Sequence, residues 1–398
     1  MKRTMFWLAL LACACSAQES DTTVYTDARV IVGDGRVIEN ATFTVAGGRF
    51  TSVGATGELR VPADAASVDL TGMTVMPAII DTHVHMSTTR DALIEDLRRR
   101  AEQGIGAAMS LGSDGADAPL GLRQEAIPGI ARYRTAGRGI TAPEPGRSEV
   151  PHWVTTVNEA RQAVRDEAAR NVDIIKIWVD DRNGQYEKLE PELYTAVIDE
   201  AHSNALKVTA HLFSLEDAKG LLRAGVDAFA HGVRDRDVDD EFVELVLERP
   251  EVMLVPNLPS RGAPTNLDWL EGSLPADELA ELRANNVERF QVQPAFGIQA
   301  RNLARLSDAG MRIAFGTDGN TFWAPHVELE DMVAAGMSPA EVIVAATANS
   351  AELMGLDDAG TIEAGKRADF IVLEANPLDD ITNTRRIVDA YLEGEIVP

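Results

Sequence analysis

Two histidines separated by one residue, His83 and His85, follow an apolar run at 73–80. Side chains two residues apart on a β-strand point to the same face of that strand. A strand that ends in His-x-His therefore directs two imidazole rings toward one point, which is the arrangement that a divalent metal ion needs. Such a pair also arises by chance, so the metal-site hypothesis depends on what the rest of the chain places nearby.

Four more candidate ligands lie at or near the carboxyl ends of other short apolar segments. They are Lys176, His211, His231 and Asp318. The carboxyl ends of parallel barrel strands form one rim, and the active sites of such barrels lie at that rim. Because all these side chains would share the rim with the histidine pair, the spacing predicts a metal site there.

The middle of the chain alternates short apolar segments with amphipathic ones, which indicates a parallel sheet with crossover helices. The candidate strands lie near 74–80, 105–111, 130–135, 173–179, 207–212, 228–230, 252–255 and 312–315. Eight is the strand number of a (β/α)8 TIM-type barrel. A doubly wound open sheet is the alternative, but no Gly-x-Gly-x-x-Gly follows an early strand.

Both ends of the chain read as short strands separated by turns such as Gly33-Asp34-Gly35. We therefore expect an α/β fold in which a small β-sandwich domain, built from 23–75 and 350–398, accompanies a catalytic (β/α)8 barrel over 76–349.

Lys176 is unusual because the strands of a parallel barrel are buried on both faces. An isolated ammonium group there carries a large desolvation penalty. Three outcomes are open: the side chain extends to the rim, the amine is neutral with a lowered pKa, or the amine is chemically modified. A neutral amine can react with CO2 to give a carbamate, whose two oxygens can bridge two cations.

Several segments resemble the amidohydrolase superfamily: 71–85, which contains the histidine pair, 173–176 around the lysine, and 347–351, 360–369 and 376–381 in the tail. The resemblance covers nearly the whole chain after the first residues. Within the superfamily the chain is most similar to the imidazolonepropionase-related amidohydrolases, a group that includes Xaa-Pro dipeptidases (prolidases). Ala78 stands where these proteins usually have glycine.

The resemblance implies a metal-dependent enzyme with two divalent ions per chain. Carried over by position, His83, His85 and Asp318 would hold the more buried ion, and His211 and His231 the more exposed one. Zinc is the expected metal, because histidine and carboxylate ligands suit it, although manganese, iron or cobalt would also fit.

The same resemblance implies that a carbamylated Lys176 bridges the two ions and that Asp318 is the catalytic acid and base. The expected reaction is hydrolysis of an amide-like C–N bond in a dipeptide or N-acyl amino acid, by a hydroxide that the binuclear metal centre activates. Hydrolysis of an ester, lactone or cyclic amide is the alternative within enzymes. A non-catalytic binding protein on the same fold is the alternative of another class.

Two residues in loops after strands are candidate substrate contacts. Arg234 follows His231 by three positions, where its guanidinium could bind a carboxylate in a bidentate manner. The alternative is that Arg234 pairs with a neighbouring acid such as Asp235 or Asp237. His326 lies in the loop after the eighth candidate strand, a position suited to a substrate contact.

The chain is strongly acidic, with 63 Asp and Glu against 37 Lys and Arg and a formal net charge of −26. Such a surface repels nucleic acids and anionic lipids, so a nucleic-acid role is excluded. The expected partner is a small-molecule substrate, and self-association into a homo-oligomer stays open.

Residues 1–17 read as an export signal, with Lys2 and Arg3 before an apolar stretch at 5–12. Residues 10–13 resemble a lipobox, in which Cys13 would be lipidated and provide the one contact with a membrane. An ordinary signal peptide, cut near Ala14 or Ala17, is the alternative. Both predict an exported protein, periplasmic or anchored as a bacterial lipoprotein. The sequence after Cys15 has no cysteine, which excludes a disulfide or a thiol catalyst there.

Overall fold

The computed structural model describes residues 22–398. The predicted export signal and Cys13 therefore lie outside the described residues, and both stay predictions. Within 22–398, no helix combines the length and the apolar character that a membrane span requires.

The strands are numbered in chain order. They are β1 (Thr22–Ile31), β2 (Val37–Ala46), β3 (Arg49–Ala55), β4 (Ala66–Asp69), β5 (Thr74–Pro77), β6 (Ile79–Val84), β7 (Ile105–Ser110), β8 (Arg132–Thr135), β9 (Ile140–Thr141), β10 (His152–Trp153), β11 (Ile175–Val179), β12 (Val208–Leu212), β13 (Ala228–Phe229), β14 (Met253–Leu254), β15 (Arg312–Ile313), β16 (Phe370–Leu373), β17 (Ile387–Leu392) and β18 (Glu395–Ile396).

The α-helices are α1 (Arg90–Glu102), α2 (Asp117–Leu122), α3 (Val157–Ala169), α4 (Pro191–Ser203), α5 (Leu215–Ala224), α6 (Asp240–Leu247), α7 (Ala276–Asn285), α8 (Gln293–Asp308), α9 (Ala324–Ala334), α10 (Pro339–Val344) and α11 (Ser350–Leu353). Short 3-10 helices cover Asp268–Leu270 and Ile381–Arg385, and a π-helical turn covers Ala345–Asn349. A capping box at Thr156 begins α3, and proline in the first turn begins α4, as their sequences indicate.

Strands from both ends of the described chain form one mixed sheet in the order β18-β17-β16-β5-β1-β2-β3, with β4 beside β1. The sheet curls around an aromatic core, in which Tyr25 stacks on Phe43 at 4.7 Å between ring centroids and Phe370 on Tyr391 at 4.4 Å. Hydrogen bonds connect all these strands, and the sheet branches at β1, which pairs with both β4 and β5 beside β2; this is the small β domain that the sequence predicts.

The barrel strands form two parallel sheets, β6-β7-β8 and β10-β9-β11-β12-β13-β14-β15. Two backbone hydrogen bonds connect these sheets to each other. The N–H of Thr82 donates to the carbonyl of Phe315 at 2.9 Å, and the N–H of Asp173 donates to the carbonyl of Thr135 at 2.9 Å. The predicted fold class, a TIM-type barrel with an additional β domain, is confirmed.

The predicted first barrel strand, 74–80, is wrong in one respect, because two strands share it. Strand β5 pairs with β1 and β16 and so belongs to the curled sheet. The direction of hydrogen bonding changes at Ala78, whose N–H donates to Asp369, whereas the N–H of Ile79 donates to Gly104 beside β7. One apolar run thus connects the curled sheet to the strand that carries the histidine pair.

Candidate metal centre

The structure brings the predicted ligands to one rim of the barrel. His83 is on β6 and His85 follows that strand, Lys176 is on β11, and His211 is on β12. The other two, His231 and Asp318, follow β13 and β15 within a few residues. His83, Lys176 and His231 are buried, whereas the Asp318 side chain is 36% exposed.

Asp318 lies at the centre of the histidines. One carboxylate oxygen, Oδ1, is 3.0 Å from Nε2 of His85 and 3.1 Å from Nε2 of His83, and Oδ2 is 3.7 Å from Nε2 of His231. His83, His231 and Asp318 each offer a ligand atom within 4.8 Å of the other two. The His211 ring is next to that of His231, with 4.6 Å between centroids.

Lys176 is 1% exposed, and its Nζ has no hydrogen-bond partner among the described residues. Burial lowers the pKa of this amine to about 7, against the opposing charge of Asp318. Of the three outcomes open from the sequence, a side chain that extends to solvent is therefore excluded. A neutral amine, free or modified, fits the site.

Burial also lowers the pKa values of the central histidines, to about 4 for His83 and about 3 for His211, so the rings are neutral near pH 7. Neutral imidazole is the form that binds metal ions. Burial opposes ionisation of Asp318. The histidines outweigh it, through hydrogen bonds and through their positive charge when protonated at acidic pH, and hold the pKa of this carboxyl well below its ordinary value. Nδ1 of His83 is 2.9 Å from Oδ1 of Asn257, which fixes the ring.

Nδ1 of His231 and Nζ of Lys176 are buried without a hydrogen bond within 22–398, and Nε2 of His83 has no well-aligned one, although the Asp318 carboxylate lies 3.1 Å away. Buried polar atoms normally have partners, so a cluster of unpaired ones requires an explanation. Neutral imidazoles, a carboxylate and a neutral amine that face one another are a donor set for divalent metal ions. The residues present therefore fit the metal ions that the resemblance implies.

Asp180, which the sequence analysis does not include in the site, contacts one of the histidines. Its Oδ2 is 3.0 Å from Nε2 of His211 and 2.6 Å from Nη1 of Arg182. Nε of Arg182 in turn donates to Glu144 at 2.9 Å. The signal in the sequence is the Asp-Asp-Arg that directly follows the lysine strand, where polar side chains reach the rim of a barrel.

Arg234 does not pair with its acidic neighbours. Asp235 pairs with Arg236 at 2.7 Å, and Asp237 pairs with Arg301 at 2.7 Å. Nε of Arg234 is buried without a partner among the described residues, and so is Nη2 of Arg182. Burial lowers the pKa of Arg234, and the negative charges of Asp318 and Asp180 oppose that change.

His326 is not brought to the centre. Its ring is buried, Nδ1 is 3.1 Å from Oγ1 of Thr384, and Nε2 is 3.0 Å from the carbonyl oxygen of Gln103. Trp269 packs against it at 5.4 Å between ring centroids. Both ring nitrogens are already engaged, so this geometry does not support the predicted substrate contact.

The fold and this rim define a class of protein: hydrolases with a (β/α)8 barrel, whose metal-binding side chains lie at the carboxyl ends of the strands. The model of the Amidohydrolase family matches residues 74–397. The chain belongs to that family, and it is a hydrolase that acts on carbon–nitrogen bonds of small molecules. Members of the family generally depend on a metal ion, in keeping with the histidine–aspartate cluster.

Relatives match over almost their whole length. The chain is 26% identical to the imidazolonepropionase of Deinococcus radiodurans, which covers 91% of this chain and 93% of that protein. It is 24% identical to the ochratoxinase of Aspergillus niger, covering 92% of this chain and 84% of that one. A solved structure from Bifidobacterium longum, assigned as a prolidase, superposes with a TM-score of 0.79 at 29% identity and covers 95% of this chain and 94% of that one.

Proposed function

We propose that this protein is a two-metal hydrolase that cleaves an amide-like C–N bond in a dipeptide or an N-acyl amino acid. The observation that carries the proposal is the unpaired, buried Nζ of Lys176 beside the histidines and Asp318. Within the described chain this amine has no hydrogen-bond or ion-pair partner, and it lies over the face of the Trp178 ring, 5.6 Å from its centroid. A carbamate on it would supply two oxygens, one for each of two cations.

In this proposal His83, His85 and Asp318 hold one ion, and His211 and His231 hold the other. Zinc suits the histidine and carboxylate donors. When bound, two divalent cations would polarise the scissile carbonyl group and lower the pKa of a water molecule.

Asp318 is the acidic side chain among the six proposed ligands, and it is 36% exposed, so it can reach a bound substrate. It takes a proton from the attacking water as the new C–O bond forms. It then delivers that proton to the leaving nitrogen as the C–N bond breaks, which releases a carboxylic acid and an amine.

Arg234 and Arg182 would anchor the substrate. Each has a buried guanidinium nitrogen without a partner in 22–398, and both lie near Asp180. Unpaired buried donors are costly, and a substrate carboxylate would satisfy them in a bidentate manner. The α-carboxylate of a dipeptide or N-acyl amino acid meets this requirement, which supports that substrate class over a neutral amide.

The test is hydrolysis of a library of dipeptides and N-acyl amino acids by the zinc-loaded protein, with esters and lactones included for comparison. We expect cleavage of at least one member with a free α-carboxylate, and loss of that activity in Asp318→Asn. The exposed Asp308, replaced in the same way, serves as the matched control. Cleavage of esters or lactones alone, or full activity in Asp318→Asn, would contradict the proposal.

A further inference from the structure

Arg100 of α1 and Asp81 of β6 form an ion pair in which both side chains are 0% exposed. Nη1 of Arg100 is 3.1 Å from Oδ2 of Asp81. The other buried residues of α1 are Leu93, Leu97 and Ala101, so an apolar residue would suit the position of the arginine. A buried ion pair adds little stability over an apolar pair of similar volume, so stability alone does not explain why this pair is present.

The Asp81 carboxylate connects the histidine strand to the segment that carries Asp318. Its Oδ1 accepts from the N–H of His83 at 3.2 Å and from the N–H of Thr317 at 3.1 Å. Its Oδ2 accepts from Oγ1 of Thr317 at 2.7 Å. The same carboxylate thus fixes the residue before Asp318 and the backbone of a candidate ligand.

Arg100 fixes Gly319, the residue that follows Asp318. Nη2 of Arg100 donates to the carbonyl of Gly319 at 3.0 Å. Asp318 itself has φ +56°, in the left-handed region that is unfavourable for residues other than glycine. Such a conformation persists only where the surrounding contacts impose it, and strained residues of this kind are typical of functional sites.

We propose that Arg100 is a positioning residue, which acts through Asp81 to hold Thr317 and Gly319 and so aims the Asp318 carboxylate at the histidine rings. This inference rests on the proposed function, in which Asp318 is both metal ligand and proton carrier. Without the guanidinium, the carbonyl of Gly319 keeps only the longer hydrogen bond from the N–H of His85, at 3.4 Å, and Asp81 loses its counter-charge. The segment then relaxes toward an ordinary backbone conformation, and the carboxylate moves away from His83 and His85.

The test compares Arg100→Met, which retains most of the side-chain volume, with Arg98→Met on the exposed side of the same helix. Two properties are measured in the full-length protein: zinc affinity, by competition with a chelator, and the separate values of kcat and KM. We expect Arg100→Met to weaken zinc binding and to lower kcat, each by about 10- to 100-fold, the size typical of lost outer contacts in metal sites. KM should stay within about twofold, because the substrate anchors are not touched.

A merely structural role for Arg100 would lower the melting temperature but leave zinc affinity and kcat per folded molecule unchanged, and that result would overturn the inference. If Arg100→Met does not fold, Thr317→Val removes one hydroxyl contact to Asp81 and should show the same change in kcat at a smaller size. Asp318→Asn separates the two proposals. An active Asp318→Asn contradicts the proposed function, whereas an inactive Asp318→Asn beside a normal Arg100→Met contradicts this inference alone.

Discussion

Oδ2 of Asp180 lies 3.0 Å from Nε2 of His211, and the two side chains are 10% and 11% exposed. The contact engages one ring nitrogen of His211 and, among the described residues, leaves Nδ1 without a hydrogen bond. A carboxylate that holds one nitrogen of a histidine selects the tautomer and orientation in which the other nitrogen can bind a metal. Asp180 therefore supports the ion that we assign to His211 and His231.

Replacing Asp180 by alanine should weaken binding of that ion by about 10- to 100-fold, because His211 loses the partner that orients its ring. Zinc titration monitored by calorimetry measures the change. Asp181→Ala, at the exposed neighbouring position, is the matched control. Equal zinc affinities for the two variants would show that Asp180 does not orient the ligand.

Replacing Arg234 or Arg182 by methionine should raise KM for substrates that have an α-carboxylate. A hydrogen bond to a charged group contributes about 1.5–3 kcal/mol, so we expect KM to rise by roughly 10- to 100-fold. Arg234→Met should leave kcat/KM unchanged for an analogue in which the carboxylate is an amide. Arg182→Met also removes a partner of Asp180 and should lower kcat/KM for both substrates.

Steady-state kinetics on both substrates, with Arg236→Met as the control, measure this difference. Arg236 is 60% exposed and pairs with Asp235, and we assign it no role in the site. If Arg234→Met loses activity equally on the acid and the amide, Arg234 does not bind the carboxylate.

The sequence alone predicts the barrel and its six candidate ligands, because both depend on periodic patterns. Apolar segments at regular spacing predict strands, and the residue at the end of each strand must lie at the rim. His83 and His231 therefore reach the same site although 148 positions separate them. The connection between β5 and β6 could not be predicted, because an apolar run does not show where one strand changes sheets.

The contacts around the ligands could not be predicted either. Asp180 and Arg100 are charged residues in a chain with many of them, and only the folded chain shows which charges are buried and paired. His326 shows that a position after a barrel strand is not sufficient, because its ring is buried against Thr384 and Gln103 and does not reach the site. The position of a residue along the chain predicts whether it lies at the rim of the barrel. Side-chain packing determines which other residues its side chain contacts.

The pKa of Lys176, about 7, predicts how carbamylation depends on pH. Burial lowers this pKa, so the neutral amine that reacts with CO2 predominates above about pH 7 in the folded protein. Metal-free protein should therefore take up labelled CO2 increasingly as the pH rises from about 6 to 8. Carbon-13 NMR in labelled bicarbonate measures the uptake, with Lys176→Met as the control. Equal carbamate signals in parent and variant would contradict the assignment.

The Asp331 carboxyl on α9 predicts a pH dependence of stability. Burial raises its pKa from 3.8 to about 7, although Arg261 contacts it. Between these values the unfolded chain loses a proton that the folded chain keeps, so this group's contribution to the free energy of unfolding decreases as the pH rises from about 4 to 7. Asp331→Asn should flatten that decrease.

Urea unfolding at pH 5 and pH 7 measures this effect, with the exposed Asp91 replaced by asparagine as the control. The parent and Asp91→Asn should lose the same stability between the two pH values, and Asp331→Asn should lose less. The same loss in all three proteins would show that Asp331 does not titrate in this range.

The central claim is that Lys176 bridges two metal ions, and the most direct test is the metal content of the zinc-saturated protein, measured by mass spectrometry after excess metal is removed. We expect about two zinc ions per chain in the parent and in Lys188→Met, a matched exchange at a partly exposed lysine. Lys176→Met should retain about one ion or none. A parent with about one ion per chain, unchanged in Lys176→Met, would contradict the bridged two-metal centre.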